Sequence, residues 1–227
     1  MSSAHYLSRV RLRKDAPAAA LAEVFLPEDI NQRVTIAHKL LWTLFSDGPS
    51  RRRDFLWREA DKGLFYILSV RPPHDAHALF DLEPPKEFAP ALASGDRLQF
   101  SLRANPTVAR KTDAKRGKRS DIVMNAIKPL PPESRAGARA AAMQEAGMAW
   151  LRRQGELHGF AVETLRVDGY RVLRPPHRQA PMRIATLDFD GTLRVTDGAA
   201  FVRALTAGLG RAKAYGCGLM LIRRLVR

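Results

Sequence analysis

A chain of 227 residues with 45% hydrophobic content can bury one large core or two small ones, which argues against a disordered polypeptide. Lysine and arginine number 38 against 23 acidic residues, and the net charge of +15 points to a polyanionic partner: RNA, DNA or an anionic membrane. No apolar run approaches the roughly 18 residues of a membrane span, the N-terminus has no signal-peptide core, and the lone Cys217 excludes an internal disulfide or a cysteine-built zinc site; a cytoplasmic protein is expected.

Residues 6–12 alternate apolar and polar side chains and predict a half-buried strand. Over residues 29–45 the period becomes helical, with Val34, Ala37, Leu41 and Phe45 on one stripe, until Asp47-Gly48-Pro49 stops it. Residues 54–58 and 64–70 are rich in aromatic and branched side chains and form a predicted hairpin around Gly63. Proline pairs at 72–73 and 84–85 mark an irregular stretch, and a domain boundary is placed near residue 85. Residues 96–103 alternate again, and the basic stretch 110–119, with Gly117, reads as an exposed loop. Alanine-rich residues 136–154 predict a helix, residues 160–173 and 182–195 strands, residues 201–205 a short helix, and residues 219–222 a last strand. Each half thus reads as strand, helix, two strands, helix, strand, the order of a ferredoxin-like (RRM-like) domain. The fold class expected is α+β, with tandem domains at residues 1–85 and 86–227.

Three constellations carry chemistry. Residues 208–218 hold Gly208, Gly210, Gly216 and Gly218 with Arg211 and Lys213; glycine permits close backbone approach, so such a loop can track phosphates or serve as a plain helix-to-strand turn. His38 sits beside the apolar stripe of its helix, where histidine is ordinarily structural. Yet an imidazole can take the proton from a ribose 2′-hydroxyl or give one to the leaving 5′-oxygen, a cleavage that needs no metal. Basic runs occur at Arg51-Arg-Arg, at Arg110 and Lys111, at Lys115, Arg116, Lys118 and Arg119, and at Arg171, Arg174, Arg178 and Arg183. They suit double-stranded RNA, which is gripped through shape and phosphates. A fourth motif, Asp188-Phe-Asp190-Gly191-Thr192, resembles the nucleophile motif of haloacid-dehalogenase-type phosphatases, but only 34 residues follow Leu193, and a turn at Asp190-Gly191 is the simpler expectation.

In order and spacing, Tyr6-Leu-Ser-Arg-Val, His38-Lys-Leu-Leu-Trp42-Thr-Leu-Phe45, Arg53-Asp-Phe-Leu-Trp-Arg, Phe100-Ser-Leu-Arg103-Ala-Asn105-Pro106 with Gly117-Lys118-Arg119, and the closing glycine-rich segment resemble the CasE-type CRISPR RNA endonucleases of the type I-E Cascade complex. The resemblance spans nearly the whole chain. It implies two ferredoxin-like domains across a cleft, cleavage of precursor CRISPR RNA at the 3′ base of the repeat stem-loop, a 5′-hydroxyl on one product, and retention of the guide RNA as a Cascade subunit. No cofactor or metal is implied. The family's catalytic histidine matches His38, with Lys39 and Lys213 as supporting cations and Arg103 among the RNA-binding residues. The tyrosine common three residues before that histidine is Thr35 here, a shorter and far less acidic group. A protein that caps the repeat hairpin without cutting it would need the same basic cleft, so cleavage alone separates the two readings.

Overall fold

The computed structural model describes residues 4–13, 15, 22–46, 48, 53–110, 118–176 and 182–225. Strand β1 (Tyr6–Leu12) buries Ser8, Val10 and Leu12 on one face, as its alternation requires. It pairs antiparallel with β3 (Leu64–Ser69) and β4 (Phe80–Leu82), and β3 pairs with β2 (Phe55–Asp61), giving the sheet order β2-β3-β1-β4. A two-residue β5 (Lys86–Glu87) joins the start of β1. After a single turn, α1 (Ala22–Phe25), comes the first long helix, α2 (Ile30–Trp42), capped by Asp29, whose side chain accepts from the Asn31 amide. Helix α2 lays Ala37, Leu40 and Leu41 on Val10, Phe55, Trp57, Phe65 and Ile67.

The second sheet repeats this plan. Strands β6 (Arg97–Ala104), β9 (Phe160–Leu173), β10 (Ile184–Val195) and β11 (Met220–Arg224) are ordered β11-β6-β10-β9. Between β6 and β9 lie a two-stranded ribbon, β7 (Thr107–Arg110) with β8 (Lys118–Asp121), then α3 (Ile122–Ile127) and α4 (Arg135–His158). Helix α5 (Gly198–Ala207) links β10 to β11. A core of Leu98, Phe100, Leu102, Leu151, Leu187, Phe189 and Phe201 fills the space under these helices. The architecture is α+β, two tandem ferredoxin-like units. Their helix-free sheet faces meet where Leu56 and Leu68 pack with Leu219, flanked by Leu7, Tyr66 and Leu221. Among the described residues no helix is long and apolar enough to cross a membrane.

Four expectations need correction. Helix α2 stops at Trp42, and residues 43–45 form a turn in which the Thr43 hydroxyl donates to the Leu40 carbonyl at 2.7 Å. Val34, read as part of the same stripe, packs instead with Leu173 and Ile184 of the second sheet. No helix forms between β3 and β4: residues 70–79 are irregular, prolines 72 and 73 offer no amide donors, and the Asp75 side chain receives the Phe80 amide at 2.7 Å to start β4. Asp190-Gly191 is no turn, since both residues lie inside β10, where Gly191 is paired with Phe100 on one side and Leu165 on the other. The local turn preference yields to the ladders on both sides, which stay in register through Asp190 and Gly191. As for the basic stretch, its ends are the ribbon strands, with Arg110 opposite Lys118 and Ala109 opposite Arg119, while residues 111–117 lie outside the described residues.

A Cβ at Gly191 would fall 2.0 Å from the Thr164 carbonyl oxygen, whereas one at Gly137, in the first turn of α4, would meet nothing within 4 Å. Gly191→Ala is therefore expected to lower stability by about 1–3 kcal/mol, and Gly137→Ala to raise it by roughly 0.5 kcal/mol. Urea midpoints for the two variants check the contrast.

Candidate functional site

Helical spacing turns His38 toward the aromatic edge of β2. Its ring lies 6.3 Å from that of Trp42 and 6.3 Å from that of Phe55, and these two meet edge-on at 5.5 Å. Nδ1 of His38 is buried and has no hydrogen-bond partner among the described residues. Burial, with the positive charge of Arg53 adding to it, pushes the His38 pKa down to about 4. The imidazole is thus neutral near pH 7, the form able to accept a proton. Thr35 offers it no acid: its hydroxyl turns back to the Asn31 carbonyl, 3.2 Å away in the preceding turn.

Arg53 stands two residues before β2, half-buried, with Nη1 enclosed and unpartnered among the described residues. Burial lowers its pKa. Lys213 reaches the same place from the other unit. It opens a 3-10 turn (Lys213–Tyr215) and donates Nζ to the Ala207 carbonyl at 2.7 Å; burial, then the charge of Arg53, lowers its pKa. Arg53, Lys213, His5, Asp54, Phe55 and Thr206 are among the residues lining an open pocket of about 280 Å³. The structure therefore gathers Lys213 with Arg53, whose charge also acts on His38; sequence reading passed over Arg53 as the end of a charge run. No local signal in the sequence singles out this member of the arginine run. Lys39 is exposed and projects about 100° around the helix from His38.

The glycine-rich segment makes this meeting geometrically feasible. Gly208 and Gly216 both have positive φ (78° and 74°), and a Cβ there would stand 2.8 Å from Leu56 and 3.1 Å from Trp57. Gly208 donates its amide to Ala204 and Gly218 to Arg103, so these two N–H groups serve the fold. Gly210 lies against Trp150, and Arg211 bridges to Asn105.

The remaining predicted residues fall into separate groups. Arg103 is not a free cation: Nε and Nη2 grip the Asp188 carboxylate at 2.7 and 2.9 Å, next to Arg58, whose Nη1 donates to Ser101 at 2.8 Å. Asp188 thus serves as a counter-ion on a strand antiparallel to both neighbours, which removes the phosphatase reading. Arg171, Arg174 and Arg183 are exposed on β9 and the adjoining approach to β10, and the Arg174 amide donates to the Asn31 side chain at 2.6 Å, tying this hairpin to the first turn of α2. Arg119 lines a different pocket with Trp150 and Arg153, and Arg110 and Lys118 pair across the ribbon. Lys111, Lys115, Arg116 and Arg178 lie outside the described residues.

A family model described as CRISPR associated protein matches residues 5–224. The chain is 28% identical over 210 residues to the CRISPR system Cascade subunit CasE of Escherichia coli, covering 88% of this chain and 96% of that one. It is 34% identical over 142 residues, 61% of each chain, to the CRISPR-associated endoribonuclease Cse3 of Thermus thermophilus. A solved structure of CRISPR endoribonuclease Cse3 bound to a 19 nt RNA has the same fold, with a TM-score of 0.70 at 24% identity over 98% of this chain and 100% of that one.

His38 titrates well below its unfolded value of 6.5. The unfolded chain therefore takes up a proton that the folded chain refuses as pH falls from about 6.5 to about 4. The stability this group confers is complete above 6.5 and is lost across that window. Thermal unfolding of the wild type should drop more steeply from about pH 7.5 to about 4.5 than that of His38→Gln.

Proposed function

Because the chain belongs to the CRISPR associated protein family, we propose that it is an endoribonuclease that binds the stem-loop of CRISPR repeat RNA, cuts the precursor at the 3′ base of the stem, and stays on the guide RNA as a Cascade subunit. The observation that carries this reading is a neutral imidazole, its Nδ1 unpartnered among the described residues, under the charge of Arg53, which shares a pocket with Lys213. His38 takes the proton of the 2′-hydroxyl, whose oxygen attacks the adjacent phosphorus. The bond to the 5′-oxygen breaks, and that oxygen is protonated from Lys213, whose ammonium is made more acidic by burial. The products are a 2′,3′-cyclic phosphate and a 5′-hydroxyl. No metal ion enters these steps.

Arg171, Arg174, Arg178 and Arg183 would hold the stem next to α2, since the Asn31–Arg174 contact couples this hairpin to the helix that carries His38. The ribbon cations would extend the grip. The division into domains 1–85 and 86–227 is part of the same proposal, with β5 pairing back across the boundary onto β1. A cytoplasmic location follows from the RNA substrate. The engagement of the Thr35 hydroxyl by its own helix favours one other reading, a Cascade module that caps the hairpin without cutting.

The deciding experiment is cleavage of end-labelled repeat RNA in excess EDTA. The wild type should cut, and His38→Ala should cut about 10²–10⁴-fold more slowly with RNA affinity kept. Binding without cutting by both proteins would select the capping module; a requirement for magnesium would overturn the mechanism.

A further inference from the structure

The pocket beside His38 is an excess of positive charge without an answering acid. Its one carboxylate among the described lining residues, Asp54, accepts from Nε of Arg71 at 2.9 Å, and Arg71 also donates to the Phe45 carbonyl and lies over the Phe45 ring. Asp54 is thereby committed to the neighbouring guanidinium, its second oxygen enclosed and without a partner among the described residues. Arg53 keeps Nη1 enclosed and unpartnered among the described residues, while Lys213 closes the other side. Thr206, whose hydroxyl donates to the carbonyls of Val202 and Arg203, still has its oxygen lone pairs to offer and no further proton. The other titratable groups at this place are His5, on the pocket wall, and His38, behind Phe55.

An enclosed guanidinium donor left unfilled is costly until an acceptor arrives, and the planar fork matches two oxygens of one phosphate, the anion that an RNA backbone brings. Phe55 is shared, lining the pocket and standing 6.3 Å from the His38 ring. An anion held at Arg53 therefore shares the Phe55 wall with the imidazole and meets the charge that already acts on it. We propose that Arg53 is a further catalytic residue of this site, binding the non-bridging oxygens of the scissile phosphate from the pocket it shares with Lys213.

This rests on the endoribonuclease reading for its substrate, but its electrostatics can be tested without RNA. With the pocket empty, the charge of Arg53 adds to burial in holding His38 unprotonated. Filling the pocket with an anion cancels that charge and raises the His38 midpoint. Arg53 thus couples phosphate arrival to the proton affinity of the base, and stabilises the added negative charge of the pentavalent phosphorane as it forms.

The experiment is an NMR titration of the His38 imidazole with and without sulfate, in the wild type, Arg53→Gln and Arg53→Lys, together with single-turnover cleavage and RNA binding. Sulfate should raise the wild-type midpoint. In Arg53→Gln the midpoint should start higher and ignore sulfate, and cleavage should fall by about 10²–10³-fold with binding retained. Arg53→Lys, which keeps the charge without the fork, should recover part of both signals and guards against a folding defect in the glutamine variant. A sulfate shift that survives in Arg53→Gln, or wild-type cleavage by that variant, would overturn the assignment. If the wild type does not cut repeat RNA, the endoribonuclease reading fails by itself, and the sulfate titration still decides whether Arg53 is an anion site.

Discussion

Everything at the site depends on how closely the glycine-rich segment approaches β2. Gly208 rests on Leu56 and Gly216 on Trp57, at separations no side chain would tolerate without displacing its neighbour. Leu219 then enters the cluster of Leu56 and Leu68, and the two sheets are joined through faces that carry no helix. This seam is what delivers Lys213, from one unit, to Arg53, from the other. The glycines are thus explained first as packing devices, and their consequence for chemistry runs through the lysine they place.

The molecule handles its positive charge in two ways. Some arginines are neutralised by acids: Arg103 by Asp188 and Arg71 by Asp54 in partly buried pairs, and Arg97 by Glu163 at the surface. These order the sheets and their connections, and a polyanion gains little from them. Others have no acidic partner among the described residues. Of these, Arg53 is half-buried with an unpartnered donor, Lys213 donates to a carbonyl, and Arg171, Arg174 and Arg183 project to solvent. Burial of like charges is unfavourable in the free protein and becomes favourable when a phosphate enters, which is the usual mark of a binding site as distinct from a structural ion pair.

The strongly periodic elements were legible in the sequence because the spacing of their apolar residues follows the face they bury: β1, the helix carrying His38, the hairpin of β2 and β3, and the long strands β9 and β10. What escaped was decided by partners far along the chain. Asp190-Gly191 looks like a turn until β6 and β9 close on either side of it, and the ribbon of β7 and β8 is hidden by charge that reads as loop. His38 was legible through family resemblance, since its place beside an apolar stripe is equally that of a structural histidine. The pairing of Arg103 with Asp188 was hidden because the two lie 85 residues apart. Arg53 was invisible for the converse reason: no local pattern tells which member of an arginine run is left without an acid.

The measurement that bears most directly on this account is cleavage of a repeat RNA carrying a single 2′-deoxy substitution at the nucleotide whose hydroxyl is to attack. If His38 acts by freeing that hydroxyl, the substituted RNA binds as tightly as the unmodified one and is not cut. Cleavage of the deoxy substrate at an undiminished rate would mean that water or another group is the nucleophile, and would contradict the chemistry assigned to this site.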